Sequence, residues 1–289
     1  MLLYNTRAAM SKGFPTNRLD TTPSSGFRAA MGQIRVEFGE PERNLARAIE
    51  AIRQAARLGC RLIVLPECLD LGWTYPHAKE HAEPIPGPRS DALAQAAARS
   101  GIYVVAGLTE RSGTRTYNTS ILINDEGVIL GKHRKINELA IAQNLYATGD
   151  RLGVVETPLG LLGMTICADN FPDALDLGHA LGRMGCQVLA SPCAWAVDAN
   201  HNNAVQPYGE AWITSYSELA RRHNLTVIGV SCVGRLTDGP WKGKKCIGTS
   251  LAVGAGGSIL ARGPYGEEAE AVIPVEVPIV PKQPDESSA

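Results

Sequence analysis

Runs of apolar residues too short to be helices are the feature that most constrains how this chain folds. Residues 62–65 read Leu-Ile-Val-Leu and end at Pro66, a pattern typical of a strand covered on both faces. The preceding segment, residues 41–56, instead carries apolar side chains at helical spacing; they are Leu45, Ile49, Ile52 and Ala56. The two patterns together predict a sheet with helices packed on its outer faces.

The same alternation of strand and helix continues along the chain, with hairpins inserted. Further strands are predicted near residues 28–36, 102–108, 117–123, 128–132, 161–166, 188–190, 226–231 and 249–253, and further helices near 90–100 and 208–223. We predict one mixed-sheet α/β domain over residues 27–276. A loose N-terminal arm (1–26) rich in Ser, Thr and Pro precedes the domain, and a Pro-rich C-terminal tail (277–289) follows it.

Composition narrows the classes of function. Lys and Arg total 28 against 29 Asp and Glu, so the chain lacks the excess positive charge needed to hold a nucleic-acid backbone. No run of about 18 apolar residues and no signal-peptide core are present, which predicts a cytoplasmic protein without a membrane contact. The seven cysteines form no C-x-x-C pair and are expected to be reduced thiols.

Three familiar site patterns fit this chain poorly. Residues 37–42 form the first strand-to-helix turn and carry three glutamates, which would repel a phosphate. The segment from His77 to His81 matches the zinc-protease pattern H-x-x-E-H, but Pro76 and two later prolines leave little room for the helix that pattern requires. We therefore expect a solvated loop there and no metal. The serine motif G-x-S-x-G is absent from the sequence, so any nucleophile comes from elsewhere.

Three residues follow predicted strands and could carry chemistry. Cys167 comes directly after the apolar strand at 161–166, at the sheet edge where α/β folds bind ligands. Because a free thiol is only slightly ionised at neutral pH, a nucleophilic cysteine needs a base or a cation beside it. Glu67 follows the strand at 62–65 and could supply a base. Lys135 closes the hairpin formed by the strands at 117–123 and 128–132 and could stabilise an oxyanion. Taken singly, each of the three also has an ordinary structural interpretation: Cys167 as a buried thiol, Glu67 as a surface cap after a proline, and Lys135 as part of a solvated basic face.

The three segments together resemble the motifs of the carbon-nitrogen hydrolase family, also called the nitrilase superfamily. Residues 62–67 (Leu-Ile-Val-Leu-Pro-Glu) are similar to its glutamate motif, 131–135 (Gly-Lys-His-Arg-Lys) to its lysine motif, and 167–173 (Cys-Ala-Asp-Asn-Phe-Pro-Asp) to its cysteine motif. Their order and their separations of 68 and 32 residues also agree with the family. The resemblance extends from about residue 28 to residue 276.

The resemblance implies a fold, a site and a reaction. The implied fold is a four-layer α-β-β-α sandwich, built up in the family by pairing two subunits face to face. Cys167 would be the nucleophile, Glu67 the general base, and Lys135 with the backbone N–H of Ala168 would hold the oxyanion. The implied reaction is hydrolysis of a non-peptide C–N bond through a thioester, with no cofactor.

Two departures from the family pattern bear on the site and the branch. Many members carry a second glutamate at a position that corresponds here to the neutral Gln143; Glu138, three residues after Lys135, is a candidate replacement. Nitrilases of the family tend to have Trp-Glu after the cysteine, whereas this chain has Ala168 and Asp169. This favours an amide or N-carbamoyl amine substrate; nitrile hydrolysis and a catalytically inactive interaction protein remain the alternatives.

The resemblance also suggests where the substrate and a second subunit would bind. Trp73, Tyr75, Asn170 and Trp195 lie near the ends of the catalytic strands and are candidate substrate contacts, although aromatic residues at such places are more often part of the core. Self-association into a homodimer or a higher homo-oligomer is expected. The apolar, proline-spaced segment 272–280 could cross onto the partner.

Overall fold

The computed structural model describes residues 26–279. The strands are β1 (Phe27–Gln33), β2 (Leu62–Val64), β3 (Tyr103–Ser112), β4 (Arg115–Ile123), β5 (Ile129–Arg134), β6 (Val154–Thr157), β7 (Gly160–Met164), β8 (Val188–Cys193), β9 (Ala196–Val197), β10 (Thr226–Ser231), β11 (Val233–Arg235), β12 (Lys245–Ile247), β13 (Leu251–Val253), β14 (Ile259–Arg262) and β15 (Ala271–Val277). The helices are α1 (Pro41–Arg57), α2 (Ala78–His81), α3 (Pro88–Ser100), α4 (Asp176–Arg183) and α5 (Glu210–His223), with short 3-10 helices at Ala140–Ala142 and Cys167–Asn170. Except for Gly26 and residues 277–279, the predicted arm and tail lie outside the described residues.

Two six-stranded sheets form the centre of the molecule. The first has the order β15-β1-β2-β3-β4-β5 and the second β14-β13-β10-β8-β7-β6. Strands β1, β2 and β3 are mutually parallel, as are β7, β8 and β10, while hairpins add antiparallel strands at the edges. A small third sheet, β11-β12-β9, lies beside them.

Alternating side chains assign the faces of the two sheets. On β1, Ala29 and Met31 point into the core between the sheets, whereas Ala30 packs toward α1 and α3. The outer face of the second sheet packs against α4 and α5, where Tyr216 and Leu219 are fully buried. The predicted four-layer α-β-β-α sandwich is therefore confirmed, and all four layers come from one chain, so the sandwich does not depend on pairing two subunits.

Part of the C-terminal segment forms an edge strand. Residues 271–277 form β15, which pairs antiparallel with β1 along its whole length, from Phe27 opposite Val277 to Gln33 opposite Ala271. Pro274 fits there because β15 is an edge strand, where a missing backbone N–H costs no ladder hydrogen bond. This part of the segment completes the chain's own first sheet as an edge strand, and its contact with a partner stays a prediction.

All seven cysteines are free thiols. Within residues 26–279, the structure contains no helix long and apolar enough to cross a membrane.

Candidate active site

The parallel strands of both sheets end at the same edge of the molecule, and this brings the predicted residues together. Glu67 lies three residues beyond β2, and its backbone N–H donates to the carbonyl oxygen of Cys193 at the end of β8, with N and O 3.3 Å apart. Gly107 lets β3 approach Glu67 closely, because a Cβ atom at that position would lie 2.6 Å from the Cα of Glu67. Glu67, Lys135 and Cys167 all line one cavity.

Cys167 begins the short 3-10 helix after β7 with a left-handed backbone, φ = +43°. This conformation is uncommon for a residue other than glycine, and such strain is concentrated at functional sites. The Cys167 N–H donates to Ser191 Oγ at 3.2 Å, and Asn170 Nδ2 donates to the same oxygen at 2.9 Å. These two hydrogen bonds anchor the turn to β8. They thereby hold the Cys167 side chain at the end of β7.

The surroundings of Cys167 favour the neutral thiol over the thiolate. A hydrogen bond with the Cys193 thiol, burial and the negative charge of Glu67 raise the pKa of Cys167 well above its usual value, although Lys135 acts in the opposite direction. Cys167 is half-buried, while the other six cysteines are buried. Attack by this sulfur therefore needs a base that removes its proton during the reaction.

The two oxygens of Glu67 have different environments. Oε1 accepts hydrogen bonds from Lys135 Nζ at 2.7 Å and from Asn118 Nδ2 at 2.6 Å. Oε2 is buried and has no hydrogen-bond partner among the described residues. One oxygen therefore fixes the carboxylate in place while the other stays free to accept a proton.

Lys135 is almost completely buried between two carboxylates. Its Nζ atom lies 2.7 Å from Glu67 Oε1 and 3.7 Å from Glu138 Oε2. Burial lowers the pKa of Lys135, yet the charges of Glu138 and Glu67 outweigh burial and hold that pKa well above its usual value. An ammonium group that lines the same cavity as the cysteine can stabilise a developing oxyanion.

The structure places Glu138 in the site and Gln143 outside it. The Glu138 carboxylate is buried beside Lys135. Gln143 is exposed, and its side-chain amide donates to the backbone oxygen of Glu138 at 3.3 Å. Burial and the charge of Glu67 raise the pKa of Glu138 to about 7, although Lys135 and Asn118 act to lower it.

Asp169 fixes the turn that brings Glu138 back to Lys135. Its Oδ1 atom accepts the N–H groups of Ile136 at 3.2 Å and Asn137 at 2.8 Å. Its Oδ2 atom contacts His133 Nε2 at 2.8 Å and accepts the Ile166 N–H at 3.0 Å. The buried Asp169 carboxylate therefore joins the lysine segment of the first sheet to the cysteine turn of the second.

Aromatic rings line the cavity above these polar groups. The volume is about 50 Å³, and the twelve lining residues are Glu67, Trp73, Lys135, Leu139, Cys167, Phe171, Ala194, Trp195, Ala196, Tyr208, Trp212 and Trp241. Of the four predicted substrate contacts, Trp73 and Trp195 line the cavity. Tyr75 does not; it packs edge-on against Phe38. Asn170 is fully buried and holds the cysteine turn through Thr165 and Ser191, which makes it a support rather than a wall.

Sequence reasoning missed four of the six aromatic residues that line the cavity. Phe171 lies four residues after the nucleophile candidate, Trp212 lies in the first turn of α5, and Tyr208 precedes the first residue of that helix by two positions. Trp241 lies in the connection between β11 and β12. The only signal was the number of tryptophans: the chain has four, and all four line this cavity.

The H-x-x-E-H segment forms a single helical turn rather than a loop. His77 Nδ1 contacts Glu80 Oε2 at 2.6 Å on the surface, and His81 packs beside Tyr75. No cluster of three or more His, Cys, Asp or Glu side chains that could hold a metal ion was found between residues 26 and 279.

The fold of this chain is shared with a protein of solved structure. The solved structure of an amidase from Nesterenkonia sp. has the same sandwich, with a TM-score of 0.73 over 89% of this chain and 92% of that one at 21% identity. The carbon-nitrogen hydrolase family model matches residues 28–280, so the chain belongs to that family.

Two curated relatives are similar to this chain in sequence. An omega-amidase of Xenopus tropicalis is 33% identical over 180 residues, which are 58% of this chain and 64% of that protein. The chain therefore matches slightly less than two thirds of that relative's length. A bifunctional nitrilase/nitrile hydratase of Nicotiana tabacum is 28% identical over 89% of this chain and 80% of that protein.

Proposed function

We propose that the protein is a cysteine-dependent amidase that hydrolyses a small amide to a carboxylic acid and ammonia through a thioester. One observation carries the proposal: a thiol, a carboxylate with one free oxygen and a buried ammonium group line the same small cavity. These are the nucleophile, the base and the oxyanion stabiliser that acyl transfer requires.

The first half of the reaction forms the thioester. The Cys167 thiol gives its proton to Glu67 Oε2 as the sulfur attacks the amide carbon. The oxyanion that results is held by Lys135 Nζ and by the N–H of Ala168, which lies in the first turn of a 3-10 helix where backbone N–H groups have no partner within the helix. Glu67 then protonates the amide nitrogen, the C–N bond breaks, and ammonia leaves.

The second half of the reaction reverses the roles. Glu67, again ionised, removes a proton from water as the water oxygen attacks the thioester carbon. The C–S bond breaks, the carboxylic acid is released, and the sulfur recovers a proton from Glu67. The charges of Glu138 and Glu67 favour the ammonium form of Lys135, and the proposed steps need no metal or cofactor.

Amide hydrolysis is favoured over the other reactions of this family. Nitrile hydrolysis is the second candidate because a nitrilase relative matches most of the chain. Against it, Asp169 occupies the second position after the cysteine and is used to fix the lysine segment. N-carbamoyl amines need the same acyl chemistry and belong in the same test.

Ammonia release from a panel of aliphatic amides, N-carbamoyl amines and nitriles tests the proposal. We expect release from amides, its loss in Cys167→Ala, and its retention in Cys60→Ala, which removes a buried thiol on the far side of the first sheet. A nitrile-only profile would replace amidase with nitrilase. An inert wild-type protein would favour the interaction-protein alternative.

A further inference from the structure

Aromatic rings form much of the wall of the cavity. Six aromatic rings surround the space next to Cys167. Trp195 and Trp212 stack with centroids 4.9 Å apart and an interplanar angle of 22°, and Trp73 and Trp241 meet edge to face, also at 4.9 Å. A wall of this kind favours an apolar group through the hydrophobic effect and ring contacts.

The charges at the cavity oppose an anionic group. Among the residues that line it, Lys135 is the one cation within the described chain. Lys135 is already paired with Glu67 and lies beside Glu138. Lys244 lies 5.4 Å from the ring of Trp241, but Asp198 pairs with it. A carboxylate on the substrate would therefore lie near the carboxyl groups of Glu67 and Glu138, in a cavity whose lining residues offer it no free cation.

We propose that the substrate is an amide with a small, uncharged and apolar acyl group, and that amides of dicarboxylic acids are rejected. The inference rests on the proposed amidase function and narrows it. The size follows from the cavity of about 50 Å³, which has room for a few water-sized groups at about 10–15 Å³ each.

A matched pair of substrates tests the inference. Isovaleramide and malonamate have the same number and arrangement of non-hydrogen atoms, but the isopropyl group of the first is a carboxylate in the second. We expect kcat/KM for isovaleramide to exceed that for malonamate at least ~100-fold, which corresponds to about 2.7 kcal/mol. Equal values, or a preference for malonamate, would overturn the inference and leave the amidase function standing.

Acetamide distinguishes a failure of the inference about the acyl group from a failure of the proposed amidase function. It has no acyl group beyond a methyl, so it tests the amidase chemistry with little contribution from the wall. Loss of all turnover, including that of acetamide, would overturn the proposed function and the inference with it. Trp241→Ala should lower kcat/KM for isovaleramide at least ~10-fold and that for acetamide much less, and Trp241→Phe should restore most of the loss. A uniform loss on both substrates would contradict a wall role for Trp241.

Binding can also be measured without turnover. Because all four tryptophans line the cavity, intrinsic fluorescence of Cys167→Ala reports ligand directly. Isovaleramide should change the emission in a saturable manner, and malonamate should need a concentration at least ~100-fold higher. Saturation by both at similar concentrations would overturn the inference.

Discussion

Replacing Glu138 by glutamine separates a catalytic role of this carboxylate from a structural one. Glu138 Oε2 lies 3.7 Å from Lys135 Nζ, so the charge of Glu138 helps to hold the Lys135 proton. Glutamine keeps the size and polarity of the side chain and removes the charge. We expect the variant to lose activity without losing stability.

The magnitudes follow from distance and burial. At 3.7 Å and an effective dielectric constant of about 20, the attraction between the two charges is of order 4 kcal/mol before desolvation is subtracted. The Lys135–Glu67 ion pair persists in the variant. Lys135 therefore loses only part of its electrostatic stabilisation. We predict a fall in kcat/KM of at least roughly tenfold, or about 1.4 kcal/mol.

The change in stability on replacing Glu138 should be opposite in sign to the change in activity. The pKa of Glu138 is about 7 in the folded protein, above its value in the unfolded chain, so the wild type is stabilised at low pH and loses that stability as pH rises from about 4.5 to about 7. The loss is of order 3 kcal/mol by linkage. The amide side chain in the Glu138→Gln variant cannot ionise. The free energy of unfolding of this variant should therefore fall less over the same pH range.

Kinetics and urea unfolding between pH 5 and 8 measure both effects. Wild-type kcat/KM should rise through a pKa near 7 as Glu138 ionises, and the variant should lack this rise. Gln143→Glu is the matched control, because its exposed side chain lies outside the site, and it should keep wild-type kinetics. Wild-type kinetics in Glu138→Gln would show that the site works with Glu67 as its only carboxylate.

Three further predictions concern the surroundings of the site. Asp169→Asn should cost at least about 2 kcal/mol in urea unfolding at neutral pH and lower kcat, because it removes a buried charge that accepts three backbone N–H groups; near-wild-type values of both would rule out the bridging role. Cys193→Ala should lower the pH at which Cys167 is half-alkylated by iodoacetamide, because a hydrogen bond with Cys193 raises the pKa of Cys167; an unchanged or higher midpoint would contradict this. EDTA should leave the rate of amide hydrolysis unchanged, and a loss that zinc restores would contradict the mechanism.

The sequence predicts the fold well where patterns are long and periodic. The strand at 62–65 and the helix from Pro41 were recognisable because burial on both faces and an amphipathic stripe leave distinct patterns. The bridging role of Asp169 and the pairing of β15 with β1 depend on contacts between segments far apart in the chain. No local pattern reports such contacts.

The same distinction separates the predicted site residues from the missed ones. Glu67, Lys135 and Cys167 each follow a strand, and parallel strands bring their carboxyl ends to one edge. Glu138 was recognisable only as a residue three positions from Lys135, since the bend that turns it inward is held by Asp169 from the other sheet. The family pattern pointed to Gln143 instead, which is exposed.

Acyl transfer to Cys167 is the central claim, and trapping the acyl group tests it most directly. Wild-type protein mixed with acetamide, quenched in acid and digested should yield an acetylated peptide that contains Cys167, and hydroxylamine added to the reaction should divert the acetyl group to acetohydroxamate. Both products should be absent from Cys167→Ala and present in Cys60→Ala. Acetamide hydrolysis that continues in Cys167→Ala, or acetohydroxamate formed without Cys167, would contradict the account.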